Sequence, residues 1–315
     1  MSNLKKIYLA PLQGYTNADY RNLHFKYFGG IDKYYSPYLR FEPNKDLKRS
    51  VLKDLDAELN KNINFVPQIL GSDIPLFIEL ANRVDAWGYS ELNWNLGCPY
   101  PMVTKRGFGS ALLNKPDQIR RILDAVFSQI KIPLSIKCRL GFDNSDEIYK
   151  LLSVFNDYDI KELTVHTRTA KQMYKGQANP NAFIDIINTS KNTLVYNGDL
   201  RSVDDIKGLD VLFNNKIDTY MIGRGILMNP FLASEIKQIY FTRDEKREIL
   251  RNFHAELLEY NKEKLEPSHL LGRMVGHWEY LSFSFENQHK IFKAIKKAKR
   301  LDKYEAVVQR IFAEY

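Results

Sequence analysis

Cysteine is scarce in this chain. Two of its 315 residues, Cys98 and Cys138, cannot build a disulfide framework, which excludes the small cross-linked scaffolds and makes a reducing compartment the expectation. Long apolar runs are also missing. Nowhere do 18 apolar residues stand together, and Met1–Lys6 lacks the apolar stretch of a secretory leader, so no membrane association and a cytoplasmic location are expected. No second cysteine and no Cys/His pair stands at ligand spacing, so no metal is expected either. Acids are outnumbered, 38 Asp+Glu against 46 Lys+Arg, and the resulting +8 permits a polyanionic partner without establishing one. The 44% of apolar residues is ordinary for a folded protein and excludes general disorder.

What is present is a rhythm. Short apolar, β-branched or aromatic runs recur at Ile7–Ala10, Lys33–Tyr35, Asn64–Gln68, Glu91–Leu96, Leu134–Lys137, Leu163–His166, Thr193–Asn197 and Thr219–Ile222. Amphipathic stretches lie between them: Ile119, Ile122, Leu123 and Val126 share one helical face, and Ile148, Leu151, Leu152 and Phe155 repeat the pattern. Eight such units predict an α/β fold, a (β/α)8 TIM barrel, in preference to a doubly wound sheet, which usually stops at five to seven strands. Seven of the eight runs end in, or lead directly into, polar, reactive or glycine residues (Gln13, Gln68, Asn95–Cys98, Lys137, His166, Asn197–Asp199 and Gly223–Arg224), and in a barrel these ends converge on the C-terminal mouth.

After Tyr240 the strand pattern stops. Three apolar stripes at helical spacing follow, one of them Leu270, Leu271, Met274, Val275 and Trp278, with Pro267 suited to the first turn of its helix. The expected organisation is a barrel over residues 1–240 and a small all-α helical bundle over 241–315. Lys290 to Arg300 holds six positive residues and no acid, and Lys293, Lys296, Lys297 and Arg300 fall at helical spacing. Such a basic face fits nucleic-acid phosphates, and a merely solvated helix face fits it equally.

Chemistry concentrates at the strand ends. In Asn95-Leu96-Gly97-Cys98-Pro99, a flexible glycine and a stiff proline flank a thiol that could act as nucleophile or proton donor. Lys137 would point a cation into the mouth and calls for a negative partner, which a reduced flavin would supply; a Schiff-base role competes. Gln68 offers both donor and acceptor for a pyrimidine edge, and His166 could meet a phosphate or serve as a structural hydrogen-bonder. Asn197-Gly198-Asp199 and Gly223-Arg224-Gly225 follow the last two strands, where barrels commonly bind phosphate. Cys138 should face the opposite side of its strand and pack against a helix.

Taken together, these motifs resemble the tRNA-dihydrouridine synthases of bacterial type. Ala10-Pro11-Leu12-Gln13-Gly14-Tyr15-Thr16 is similar to the family's opening motif, and Gln68-Ile69-Leu70-Gly71, the Cys98 motif, Lys137-Cys138-Arg139-Leu140-Gly141, Val165-His166-Thr167-Arg168-Thr169 and the two glycine turns follow in the family's order. The resemblance implies an FMN-dependent, NADPH-driven reduction of the C5=C6 bond of tRNA uridines, with hydride delivered to C6 and Cys98 donating a proton to C5. It implies that Pro11, Leu12, Gln13, Gln68, Lys137, His166, Asn197, Gly198, Asp199, Gly223 and Arg224 hold FMN. Asn95 and Arg168 would meet the uridine, and Lys293, Lys296, Lys297 and Arg300 the tRNA. A monomer is expected. Two departures, Thr167 where many members have glycine and Tyr100-Pro101 after the Cys98-Pro99 pair, bear on substrate position rather than chemistry.

Overall fold

A computed structural model describes residues 4–40 and 49–314. Its centre is a ring of parallel strand segments: β1 (Lys6–Leu9), β2 (Lys33–Tyr35), β3 (Phe65–Val66), β4 (Gln68–Ile69), β5 (Leu92–Leu96), β6 (Leu134–Gly141), β7 (Leu163–Thr169), β8 (Leu194–Asn197) and β9 (Thr219–Ile222). Their spatial order is β3-β2-β1-β9-β8-β7-β6-β5-β4. The two ends of that order are consecutive in the chain, so the ring closes as a (β/α)8 barrel whose third strand is divided in two. Pro67 makes the division, because it has no N–H to give to the ladder. The next amide, Gln68 N–H, donates to Ser36 Oγ instead (2.8 Å), while Pro67 O accepts from Asn93 N–H (2.9 Å).

Helices cover the ring as the apolar spacing requires. The helix Pro116–Phe127 buries Ile119, Ile122, Leu123 and Val126, and Glu147–Phe155 buries Ile148, Leu151, Leu152 and Phe155. Each such side chain contributes roughly 1.5–3 kcal/mol of transfer free energy. Within each strand alternate residues face the axis. Leu92, Trp94 and Leu96 of β5, and Leu134, Ile136, Cys138 and Leu140 of β6, join the core beneath the helices. Cys138 is thus an outward-packing residue, and burial pushes its thiol up to about 12. The axis itself has two halves. Tyr8, Ala10, Tyr35, Val66, Val195 and Met221 form an apolar cluster on one side. On β4 to β7 the inward positions are polar: Gln68, Asn93, Asn95, Ser135, Lys137 and His166.

No strand follows Ile222 among the described residues. Helices Arg243–Lys262, Pro267–Leu281, Gln288–Lys297 and Leu301–Glu314 make the C-terminal part. The first begins with a reciprocal cap, Thr242 receiving the Glu245 N–H while the Glu245 carboxylate accepts from Thr242 N–H. Trp278 is fully buried in the second, donating to Tyr304 Oη (2.9 Å), whose hydroxyl meets His254 Nε2 (2.7 Å). These helices dock on the barrel helix Ala18–Tyr27: Phe253 packs edge-on against Tyr20 and Phe28, Lys264 pairs with Asp19 (2.5 Å), and Arg273 donates to the Gly14 carbonyl.

The basic stretch is shorter as a helix than its spacing suggests. Lys293, Lys296 and Lys297 are exposed on one helix, but that helix ends at Lys297 because Ala298 turns extended. Arg300 therefore leaves the expected face, and its guanidinium is held by Asp302, with Nε and Nη2 each 3.1 Å from a carboxylate oxygen.

Candidate active site

At the C-terminal mouth of the barrel the strand-end residues enclose a cavity of about 280 Å3. Pro11, Leu12, Gln13, Asn95, Cys98, Lys137, His166 and Arg224 all line it. A narrower slot of about 70 Å3 adjoins it and shares Pro11, Leu12, Lys137, His166 and Arg224 as walls, adding Asn197, Gly198, Asp199 and Gly223. The two spaces make one cleft with a wide reactive end and a narrow glycine-backed end. A Cβ at Gly198 would stand 2.8 Å from Thr167 Oγ1 and 2.9 Å from Ala178 Cβ, so only glycine keeps this turn in place.

Cys98 sits at the wide end, 9% exposed, with Leu70 and Val103 packed around it. Its turn is pinned from both sides. Asn95 Oδ1 accepts from Gly97 N–H (3.0 Å) and Cys98 N–H (2.9 Å), and Cys98 O accepts from the Ser110 hydroxyl (3.0 Å) and N–H (3.1 Å). Burial raises the thiol above its ordinary value, against a hydrogen bond from the Tyr100 backbone and the fields of Arg139 and Lys137. Gly109 presses on this turn with φ +58°, and a Cβ there would lie 2.8 Å from Cys98 O. Gly109→Ala is expected to cost about 1–3 kcal/mol through strain and overpacking and to lower activity by displacing Cys98. Unfolding curves and turnover measured together check this; an unchanged turnover would show that the thiol tolerates the shift.

The rest of the cleft is cationic. Lys137 Nζ donates to Asn197 Oδ1 (3.0 Å), a neutral amide that is its one hydrogen-bond partner among the described residues. Burial first, and Arg139 second, lowers its pKa to about 8. His166 is held neutral: burial and then Arg139, Lys137, Arg168 and Arg224 push it well below its usual value. Arg168 Nη1 lies 3.1 Å from His166 Nε2, and since arginine only donates, the imidazole carries its proton on Nδ1. Asp199 is the acid that organises the narrow end, binding Arg168 (2.5 Å), Arg224 (3.1 Å) and Ala178 N–H (2.9 Å). Burial works to raise its pKa, but these partners outweigh it and leave the carboxyl below the usual range.

Two residues singled out from sequence lie outside the cleft walls. Arg168 is not among the residues lining the cleft: it is 1% exposed and its guanidinium is taken by Gly176 O, Asp199 and His166, so it braces the narrow end from behind. Gln68 is fully buried beside the cleft, its amide hydrogen-bonded to Asn93 and Asn95. Tyr100, already noted beside the Cys98-Pro99 pair, lines the cleft together with wall residues that the sequence reading does not single out. Arg139 lies two residues beyond Lys137 on β6, so the two-residue alternation alone would find it. Tyr15, Tyr38, Tyr100 and Tyr174 come from loops, and Tyr280 comes from the C-terminal helix Pro267–Leu281. Tyr15 and Tyr280 meet edge-on at 5.2 Å, closing one wall across the two parts of the chain.

Solved structures place this architecture in a class. The chain resembles the histamine dehydrogenase of Rhizobium sp. 4-9, with TM-score 0.57 and 11% identity over 74% of this chain and 45% of that one. It also resembles a variant of NCR from Zymomonas mobilis, with TM-score 0.51 and 14% identity over 76% and 88% of the two chains. At these identities the likeness is one of fold, a (β/α)8 barrel. The sequence comparison is more specific. The family model described as dihydrouridine synthase matches residues 8–312. Curated relatives include tRNA-dihydrouridine synthase B of Pasteurella multocida, 30% identical over 72% of this chain and 67% of that protein. The enzyme of the same name from Shewanella oneidensis is 29% identical over 90% and 84%. A tRNA-dihydrouridine(16) synthase of Neisseria meningitidis serogroup B is also 29% identical, over 74% and 71%. This chain belongs to the dihydrouridine synthase family and is an oxidoreductase.

Proposed function

We propose that this enzyme reduces the C5=C6 bond of uridines in tRNA, with FMN held in the cleft and NADPH as reductant. The observation that carries the reading is the shape and charge of one cleft: a thiol and a lysine without an anionic partner open onto it, and its narrow end is backed by glycine and flanked by Arg224. FMN fits this arrangement chemically. Its phosphate suits the slot formed by Asn197–Asp199 and Gly223–Arg224, and an electron-rich ring suits the ammonium of Lys137. Pro11–Gln13 and His166 would complete the holding set, with the His166 Nδ1–H as a donor. When bound, the flavin supplies hydride to uracil C6. Cys98 delivers the proton to C5, and Arg139, Lys137 and the Tyr100 N–H stabilise the thiolate left behind.

A uridine inside a folded tRNA must leave its stack to reach such a cleft. Tyr15, Tyr100, Tyr174 and Tyr280 give the cleft walls an aromatic surface on which a displaced base can stack. Lys293, Lys296 and Lys297 offer an exposed basic strip for the backbone.

The test is reconstitution with FMN and NADPH on unmodified tRNA transcripts beside free uridine, with dihydrouridine mapped by mass spectrometry. Reduction confined to tRNA is expected; comparable reduction of free uridine would overturn the substrate assignment. In the same assay, Lys293, Lys296 and Lys297 changed together to Glu should weaken tRNA binding and reduce the slope of log affinity against log salt by about 2–3. An unchanged slope would make the strip a solvated surface only.

A further inference from the structure

Within the polar half of the barrel axis, Asn95, Gln68, Asn93 and Ser135 form a single directed line of hydrogen bonds that ends on the Cys98 turn. Cys98 N–H and Gly97 N–H donate to Asn95 Oδ1 (2.9 and 3.0 Å). Asn95 Nδ2 donates to Gln68 Oε1 (2.7 Å), Gln68 Nε2 to Asn93 Oδ1 (2.8 Å), and Asn93 Nδ2 to Ser135 Oγ (2.8 Å). The Ser135 hydroxyl then donates to Glu91 Oε1 (2.6 Å). Glu91 is buried at the opposite end of the axis, and its other oxygen is held by Lys33 (2.9 Å) and Lys161 (3.1 Å).

The direction of the line follows from its terminus. A carboxylate in ion pairs can only accept, so the single Ser135 proton goes to Glu91 and Ser135 Oγ must accept from Asn93. That turns Asn93 Oδ1 toward Gln68, which turns Gln68 Oε1 toward Asn95, which turns Asn95 Oδ1 toward the two N–H groups of the Cys98 turn. A flipped amide at any joint would face donor with donor or acceptor with acceptor, inside a medium where an unmet polar group costs about 1–3 kcal/mol. The amides are therefore set as a unit.

We propose that Ser135, which touches neither the cleft nor a substrate, is a positioning residue for Cys98, acting through Asn93, Gln68 and Asn95. The proposal rests on the reading of Cys98 as proton donor. Without the Ser135 hydroxyl, Asn93 is free to turn over, the orientation of the next two amides is no longer imposed, and the Cys98 turn loses the acceptor that holds its two N–H groups.

Two variants cut the line while keeping the barrel filled, Ser135→Ala and Asn93→Leu, and Ser135→Thr keeps the hydroxyl. In the flavin-loaded full-length protein, the cut variants should keep their flavin content and their KM for tRNA within twofold while kcat falls about five- to tenfold. Hydrogen exchange at the Gly97 and Cys98 amides should accelerate at least tenfold, with the remaining amides of β5 unchanged, and Ser135→Thr should restore both values. Wild-type exchange at the two amides with wild-type kcat would overturn the proposal, and so would an equal acceleration along all of β5, which is general loosening. Failure of both cut variants to fold while Ser135→Thr is folded and active would also overturn it, making the hydroxyl a requirement of folding. The exchange measurement needs no turnover. A protein in which Cys98→Ala keeps full activity would sink the role of the thiol, while the exchange rates would still report on the line.

Discussion

Cys98→Ala is expected to leave the flavin bound and reducible by NADPH while slowing tRNA reduction by about 10²–10⁴-fold, the range for loss of a positioned general acid. The thiol opens onto the cleft, and burial holds it protonated at neutral pH, the form a proton donor needs. The sign of the pH dependence follows. With the thiol pKa raised above its usual value of 9, activity should be level with respect to this group through neutrality and fall as the thiol ionises at higher pH. Single-turnover transfer from pre-reduced enzyme to tRNA isolates the step. A rate equal to wild type in the alanine variant would assign the proton to another group, and Cys138 is not available for it, being fully buried on the outer face of β6.

The second large effect concerns Lys137 and has two parts of opposite sign. Lys137→Met is expected to weaken flavin binding by at least tenfold and yet to stabilise the ligand-free protein. The folded pKa near 8 lies below lysine's usual 10.5, so between those values the unfolded chain binds the proton more tightly, and stability rises with pH across that window. At neutral pH the folded protein carries this burden in full, roughly 3 kcal/mol. Methionine removes it but leaves Asn197 Oδ1 without its donor, so the net gain should be about 1–2 kcal/mol, visible as a melting temperature a few degrees higher. An anionic ligand offsets the same burden in the wild type. Flavin titrations and thermal melts on both proteins decide the matter: unchanged flavin affinity would remove Lys137 from the cofactor site, and a lower melting temperature would show that the hydrogen bond outweighs desolvation.

Much of the site was legible because barrel geometry turns chain position into spatial position. Once Leu134–Lys137 and Leu163–His166 are strands, Lys137 and His166 must reach the same mouth as Cys98 and Arg224, and all four share one cleft. The differences in placement have local physical causes. β7 continues three residues past His166, and Arg168 at the next inward position is captured by Asp199 from the following loop. Arg300 keeps helical spacing with Lys293 on paper, but the helix stops when Ala298 turns extended. Gln68 is polar and at a strand end, and its amide is engaged by Asn93 and Asn95 inside the barrel. Tyr280 lies in a helix distant along the chain, and its place in the wall depends on the docking of Phe253, Lys264 and Arg273 onto Ala18–Tyr27.

That docking bears on how such enzymes can be recombined. Arg273 holds the loop that carries Pro11–Gln13, and Tyr280 leans on Tyr15 of the same loop. A chimera that takes its C-terminal helices from a relative therefore inherits part of the reaction chamber along with an RNA-facing surface. Exchange at residue 240 alone would mismatch the two faces; a working graft has to carry Tyr15, Arg273 and Tyr280 as one inherited set.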